Sequence, residues 1–505
     1  MTVDMEKQGR LDEDDSRGTS MLDGRAPATP PLALRRSLSR HTYRGGEKTL
    51  ANKPDDVDAE VWLEASSVTG IKERKLTWWQ AAALLLTEYV VLAILSFPYS
   101  FATLGYAGGT LTTVIVGISV YYTSLLLWKF CAAHPEVRDI ADAAQVLCGG
   151  RRIGWYIGFA ALALNAWCIM GLHAVAGATA IQTIRDGKEV TLVWAIGLTL
   201  IMWFCSNIRD FSSMTALGLV AAFTMFVATL LVLIGHGVQG ASHHPSGWTE
   251  GMVITTGAWA PEGTTFVEGM NAVLNVVYTF VGHALIPSFI GDMERPQDFP
   301  KALGISMTAQ LVLYTITGAV VYHYTGTELT TAPAYGSLLS RFGKPAAGLV
   351  LPTIVIVGIL YSLVVSRAIF FQIFKEGSRH RSSHTVKGWA TWFLIVFVGW
   401  AISFIIGEAV PFFSDLLSLI SSLFSSHFGY TMWAAAWWQM NKGRRTANAR
   451  QIAELIIISI IFVTGMFFFG AGTYASVQSI INSYAAGAVK TPFTRANTGF
   501  VLDDN

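Results

Sequence analysis

Apolar and polar stretches divide this chain into a polar head, a long series of apolar runs, and a short mixed tail. The run from Trp78 to Tyr106, WWQAAALLLTEYVVLAILSFPYSFATLGY, exceeds the roughly 20 apolar residues that a helix needs to cross a hydrocarbon core. Ten further runs follow, so the pattern predicts eleven helical spans: about 78–104, 107–130, 154–182, 190–206, 212–235, 266–291, 301–323, 346–374, 388–407, 412–438 and 451–474. The fold class expected is an all-α polytopic membrane protein. Two of the spans are interrupted. In the first, Pro98 removes a backbone donor and clashes with the preceding turn, while Glu88 puts a carboxylate where charge is expensive. In the sixth, Gly282, His283, Pro287 and Gly291 lie along GMNAVLNVVYTFVGHALIPSFIG. Each interrupted span opens a set of five, and interrupted spans at corresponding positions of two halves point to a small-molecule site between them.

The head, residues 1–75, has no helical period and buries too little apolar area to order itself. It is expected to be a disordered cytosolic tail. Within it Arg35-Arg36-Ser37-Leu38-Ser39 suits a basophilic kinase as partner, although a plain solvated tail accounts for the same residues. The spans then form a membrane domain over 76–475: one set of five at 78–235, a second at 266–438, and an extra helix at 451–474. Residues 476–505 form the closing tail.

Composition agrees with the pattern. Of 505 residues 52% are hydrophobic and only 14% charged, against about 25% charged in soluble domains. The lipid bilayer is therefore the main partner. A net charge of +1, with no basic stripe, gives no reason to expect nucleic acid. No signal peptide precedes the first span, so that span is expected to direct insertion. Charge also sets orientation. Lys and Arg gather at one set of ends (Arg151, Arg152, Arg209, Lys375, Arg379, Arg444 and Arg445 among them), whereas the opposite loops hold Arg185, Lys188, Arg341 and Lys344, and the last tail Lys490 and Arg495. The positive-inside rule then puts the N-terminus in the cytosol and the C-terminus across the membrane. Cys131, Cys148, Cys168 and Cys205 have no metal-ligand spacing, and neither they nor the adjacent His243-His244 make a metal site. No cofactor is expected.

Several motifs resemble the amino acid/auxin permease family of secondary transporters. They are ILSFPYSFATLGYAGG in the first span, DIADAAQVLCGG in the loop before the third, VVYTFVGHALIPSFIGDMERPQDFPKAL from the sixth, and PFFSDLLSLISSLF in the tenth. The likeness covers about residues 75–475, and TEYVVLAILSFP looks closest to the fungal neutral amino-acid permease branch. It implies eleven helices, the first ten in a LeuT-type inverted repeat of five plus five. Where the family often has Gly-x-Gly before its ILxxP segment, this chain has Val91 and Ala93, which narrows the pocket.

A zwitterionic amino acid needs partners for a carboxylate and an ammonium in a low-dielectric site. Half-helix N-termini present N–H groups to the former, and unwound carbonyls suit the latter. Contacts are expected at Leu92, Ala93, Ile94 and Ser96 in the first span and at Tyr278, Thr279, Phe280 and Gly282 in the sixth. Alternatively, Gly282 and Pro287 merely kink a packed helix. The substrate side chain is expected against Asn165 of the third span and Tyr361-Ser362 of the eighth, residues equally suited to helix–helix hydrogen bonds. Glu88 and His283 are the candidates for proton coupling, with His173 and Asp415 behind them; a paired structural carboxylate and a packing histidine are the plainer readings. Sodium is the lesser alternative to protons, resting on Ser362 and Ser366 on one helix face.

The resulting expectation is a proton-coupled symporter of neutral, aliphatic or aromatic amino acids, at the plasma membrane. A vacuolar exporter of the same fold and an amino-acid receptor that does not transport remain alternatives. No nucleophile–base pair or metal cluster marks an enzyme.

Overall fold

The computed structural model describes residues 76–505 apart from 189, 208–213, 243, 375–377, 383, 411–412, 487–492, 494–498 and 505. The head with its kinase-type motif lies outside the described residues, as do His243, Arg209 and Lys375. Among the described residues the architecture is all-helical, with one isolated bridge between Leu76 and Met293.

The first apolar run does not form one helix. α1 (Trp78–Tyr89) ends, a 3-10 turn (Leu92–Ser96) follows, and α2 (Phe97–Ala133) begins beyond it. Pro98 sits in the first turn of α2, where a missing N–H costs nothing and the fixed φ helps start a helix. The same design recurs in the sixth run: α7 (Phe266–Phe280) stops, and α8 (Ile286–Asp292) restarts with Pro287 in its first turn. Both runs also open with a Thr-x-x-Gln/Glu box. The Thr77 N–H donates to Gln80 Oε1 at 3.0 Å, and the Thr265 N–H to Glu268 Oε2 at 2.8 Å.

Between the broken runs lie α3 (Ile140–Leu147), α4 (Arg152–Ile184), α5 (Thr191–Cys205) and α6 (Met214–Ser242). α3 is a short loop helix whose N-cap, Asp139, accepts the Asp142 N–H at 2.9 Å. After the second break come α9 (Phe299–Leu329), α10 (Ser340–Ile373), α11 (Val386–Ala409), α12 (Phe413–Ile420), α13 (Met432–Met440) and α14 (Ala449–Ala485). α12 and α13 are joined through two π-helical turns, Ser421–Ser425 and His427–Thr431. α14 runs well past the 474 expected from hydropathy, because Ser476, Ser479 and Ser483 find protein partners instead of lipid. Seven stretches among the described residues are long and apolar enough to cross a membrane. The 15-residue α5 and the short pieces beside the breaks, α1, α7 and α8, fall short of that length.

α4 is the central pillar, packed along α10 on one side and α11 on the other. Gly171 and Gly407 let α4 and α11 touch backbone to backbone, since a Cβ on Gly171 would lie 2.4 Å from the Ser403 carbonyl oxygen. α1 and α2 instead pack on α9, and α2 also on α7. One end of the bundle is capped by the loop after α6. Gly105 of α2 adopts φ +77°, and a Cβ there would meet the Trp259 backbone at 2.5 Å. The loop carbonyls of Gly257 and Ala258 accept the Tyr106 and Ala107 N–H groups at 2.9 and 2.7 Å. Near the same loop the C-terminal residues turn back onto the protein. Asp503 accepts the Gly247 N–H at 2.7 Å and Phe500 stacks edge-on against Tyr335.

Candidate functional site

The two breaks face each other. After Tyr89 the backbone of Val90 and Val91 leaves the helix, Val91 being fully extended (φ −118°, ψ 174°). After Phe280, Val281 departs similarly (φ −89°, ψ 88°). Gly282 lies directly under the Tyr89 ring, and a Cβ there would come 2.6 Å from it. Two side chains of α9 bind both broken ends. The Tyr314 hydroxyl donates to the Tyr89 carbonyl at 2.6 Å, and the Gln310 amide donates to the Thr279 carbonyl at 3.1 Å and to the Tyr314 oxygen at 2.9 Å. Carbonyls released by the interrupted helices are thereby held in place.

A cavity opens where the breaks meet the pillar. Its walls are Glu88, Tyr89 and Val91 from the first break, and Tyr278, Thr279, Val281, Gly282 and Ala284 from the second. Asn165, Ile169 and His173 of α4 add a stripe at every fourth residue, which is one helix face. Val357 and Tyr361 of α10 stand beside that stripe, and Ser425 and Phe428 come from the π-helical turns. π-turns re-aim side chains that a regular helix would direct elsewhere, and they recur at functional sites.

Within the cavity Glu88 has a defined partner: Tyr361 donates its hydroxyl hydrogen to Glu88 Oε1 at 2.6 Å. This bond crosses from α1 to α10. Asn165 makes no hydrogen bond among the described residues. His173 donates from Nδ1 to the Ile169 carbonyl at 2.7 Å, and its buried Nε2 has no partner.

Of the residues expected from sequence, Glu88, Asn165, Tyr278, Thr279, Gly282 and Tyr361 are brought together around this cavity, with His173 beside them. The others lie elsewhere. Leu92, Ala93, Ile94 and Ser96 are buried in the 3-10 turn just past the break, with the Ser96 hydroxyl donating to the Ala93 carbonyl at 2.7 Å. The break itself falls at Val90–Val91, and Val91 takes their place at the cavity wall. Phe280 turns into an aromatic cluster, 6.4 Å from Phe97 and 5.2 Å from Tyr314 between ring centres. Ser362 and Ser366 are buried off the wall. His283 points to α2, with Nε2 at 3.0 Å from Thr123 Oγ1 and 3.2 Å from Ser124 Oγ, and its ring stacks on Trp433. Asp415 accepts from Ser479 at 2.9 Å and Ser483 at 3.3 Å, pinning α14 to α12. Sequence reasoning passed over Ile169, Val357, Ser425, Phe428, Gln310 and Tyr314. For the tenth span, the serine-rich run SSLFSSHFGY within an apolar stretch was the available signal.

An all-helical membrane bundle with a cavity between two broken helices defines a class, the integral membrane carriers of small molecules. The particular family follows from comparison: residues 74–478 match the family described as transmembrane amino acid transporter protein, and the chain belongs to it. It is thus an integral membrane amino acid transporter. Among its relatives is the N amino acid transport system protein of Neurospora crassa, 30% identical over 427 residues, which are 84% of this chain and 89% of that protein. A transmembrane transporter of Gibberella moniliformis is 28% identical, covering 88% of this chain and 92% of its own. Amino acid transporter AVT3A of Arabidopsis thaliana is 21% identical, covering 78% and 87%.

Proposed function

We propose that this protein is a proton-coupled symporter of neutral, aliphatic or aromatic amino acids that works by alternating access. In this reading it has eleven spans, the first ten in two inverted sets of five, and sits in the plasma membrane with its N-terminus in the cytosol. The matching Thr-capped starts and proline restarts of the two broken runs support the paired arrangement. The substrate's carboxylate and ammonium would meet the backbone at Val91 and at Val281–Gly282, where half-helix ends and extended backbone supply N–H and C=O groups. Its side chain would lie against Ile169, Val357 and Phe428. The apolar character of that wall favours a neutral substrate.

One observation carries the coupling. Glu88 is the acidic side chain at the cavity wall among the described residues, and its hydrogen bond joins the first broken run to α10. Closed in, the carboxyl is favoured neutral; opened to water, it ionises and releases its proton. Rocking of the broken runs against α4 and α10 would therefore load and unload the proton in step with the substrate.

Uptake by purified protein in proteoliposomes tests this. A labelled neutral amino acid should accumulate when the outside is acid and the inside alkaline, and a protonophore should abolish the accumulation. Accumulation driven by a sodium gradient alone would overturn proton coupling. Orientation has a separate test. Exposed Cys148 should escape an impermeant thiol reagent added outside cells, while a cysteine introduced at Gly251 should react. The reverse pattern would invert the topology.

A further inference from the structure

Among the described residues, two buried side-chain atoms of the cavity wall have no hydrogen-bond partner, the Tyr89 hydroxyl at the first break and His173 Nε2 on α4, and only the second is fixed as an acceptor. The Ile169 carbonyl can only accept, so His173 Nδ1 must donate to it across 2.7 Å. In the singly protonated ring that proton fixes the tautomer and leaves Nε2 a bare acceptor. Nε2 is buried and has no partner, although His173 itself is only 4% exposed and part of the cavity wall. Buried acceptors left unmade are uncommon because each forfeits its hydration, so such an atom at a ligand cavity is most simply completed by the ligand. The surroundings say which part of the ligand. His173 stands on α4 with its Cβ 3.7 Å from the position a Gly358 Cβ would take on α10. It therefore stands where α4 meets α10, on elements other than the broken runs whose backbones suit the carboxylate and ammonium.

We propose that His173 Nε2 accepts a hydrogen bond from the substrate's side chain. The site then admits neutral amino acids carrying an N–H or O–H donor close to the backbone, such as threonine and asparagine, alongside apolar analogues of the same shape. This rests on the amino acid site of the previous subsection and specifies its substrate class. His173 acts here as a specificity residue, with Ile169 as the group that orients its ring.

The test uses two pairs matched in shape, threonine with valine and asparagine with leucine, as competitors for uptake in proteoliposomes. An apolar pocket without an acceptor disfavours the added hydroxyl by about a hundredfold. Wild-type protein should instead bind threonine within about tenfold of valine, or better, because the acceptor offsets the lost hydration. His173→Leu should lower the threonine-to-valine and asparagine-to-leucine affinity ratios by about tenfold or more. His173→Gln, which restores an acceptor oxygen, should bring both ratios back to within about threefold of wild type. A merely structural histidine would move both members of each pair together, and that result overturns the proposal. A wild-type protein that favours valine over threonine by more than about tenfold, towards the roughly hundredfold of a bare pocket, overturns it without any variant. Failure to take up any amino acid would remove the transport reading itself, and this inference with it.

Discussion

The first and sixth broken runs share a plan and differ in where their titratable side chain goes. Each begins with a threonine cap, leaves the helix through a β-branched residue, and restarts on a proline in the first turn. Yet Glu88 lies before its break and faces the cavity, hydrogen-bonded to Tyr361 of α10. His283 lies after its break and faces away, between Thr123 and Ser124 of α2 and the face of Trp433. One carboxyl therefore bridges a broken helix to the pillar side of the molecule, whereas the imidazole fastens the other broken helix to its neighbour within the bundle. A group that senses opening has to lie across the surfaces that part, and the position of Glu88 meets that condition.

The largest effect is expected where the two breaks touch. Gly282→Leu would drive a side chain into the Tyr89 ring, which already lies 2.6 Å from a bare Cβ. Relief by repacking costs about 3 kcal/mol or more, so binding should weaken by over a hundredfold, roughly. Uptake should vanish while membrane insertion, followed by surface labelling, persists. Normal uptake by a well-inserted variant would mean that the gap between the breaks is not the route. Next in size is Glu88→Gln, which keeps shape and a hydrogen-bond acceptor but cannot titrate. It should bind substrate and exchange labelled for unlabelled amino acid, yet fail to concentrate it under a pH gradient. Continued pH-driven accumulation would place coupling elsewhere.

How far these features could be read in the sequence depends on whether their cause is local. A proline lacks its donor wherever the chain goes, so the restarts at Pro98 and Pro287 were legible. Glu88 was legible as an anomaly, since a carboxylate in an apolar run asks for an explanation. Its partner was harder: Tyr361 was named for its depth in the eighth span, not for Glu88, because the two meet only in the folded bundle, where the end of α1 comes within reach of α10. Gln310 and Tyr314 were not legible at all. They read as ordinary polar residues of a span, and their role exists only because α9 passes both broken ends. The first-span contacts expected at Leu92, Ala93, Ile94 and Ser96 lie past the observed break and off the cavity wall for a related reason. The 3-10 turn at Leu92–Ser96 winds those side chains into the core, which leaves Val91 at the wall.

The bond that joins Glu88 to Tyr361 gives a smaller, sharper test. Tyr361→Phe removes the donor and little else, so Glu88 keeps its place but loses its hydrogen bond, at a cost of about 1–3 kcal/mol. Accumulation under a pH gradient should fall by at least about fivefold, while exchange persists. The double variant with Glu88→Gln should then be no worse than Glu88→Gln alone, since both changes break one interaction. Additive losses would mean that Tyr361 serves the substrate directly, separately from the carboxyl.

The smallest effect is expected at His283, and it decides between the two broken runs. His283→Gln retains a side-chain amide able to reach Thr123 or Ser124, so most of the tie between the sixth run and α2 survives. What is lost is the stack on Trp433 and any capacity to titrate near neutrality. If the imidazole only fastens two helices, thermal stability should drop by about 1–2 kcal/mol. The ratio of accumulated to external substrate under a pH gradient should match wild type. If instead His283 carries the proton, that ratio should collapse to unity while exchange continues, the signature assigned above to Glu88→Gln. Measuring both variants under the same gradient makes the comparison internal: one of them should lose accumulation and the other keep it. Loss in the histidine variant with retention in the glutamine variant at position 88 would transfer the coupling role to the sixth run and reduce the Glu88–Tyr361 bond to a structural tie.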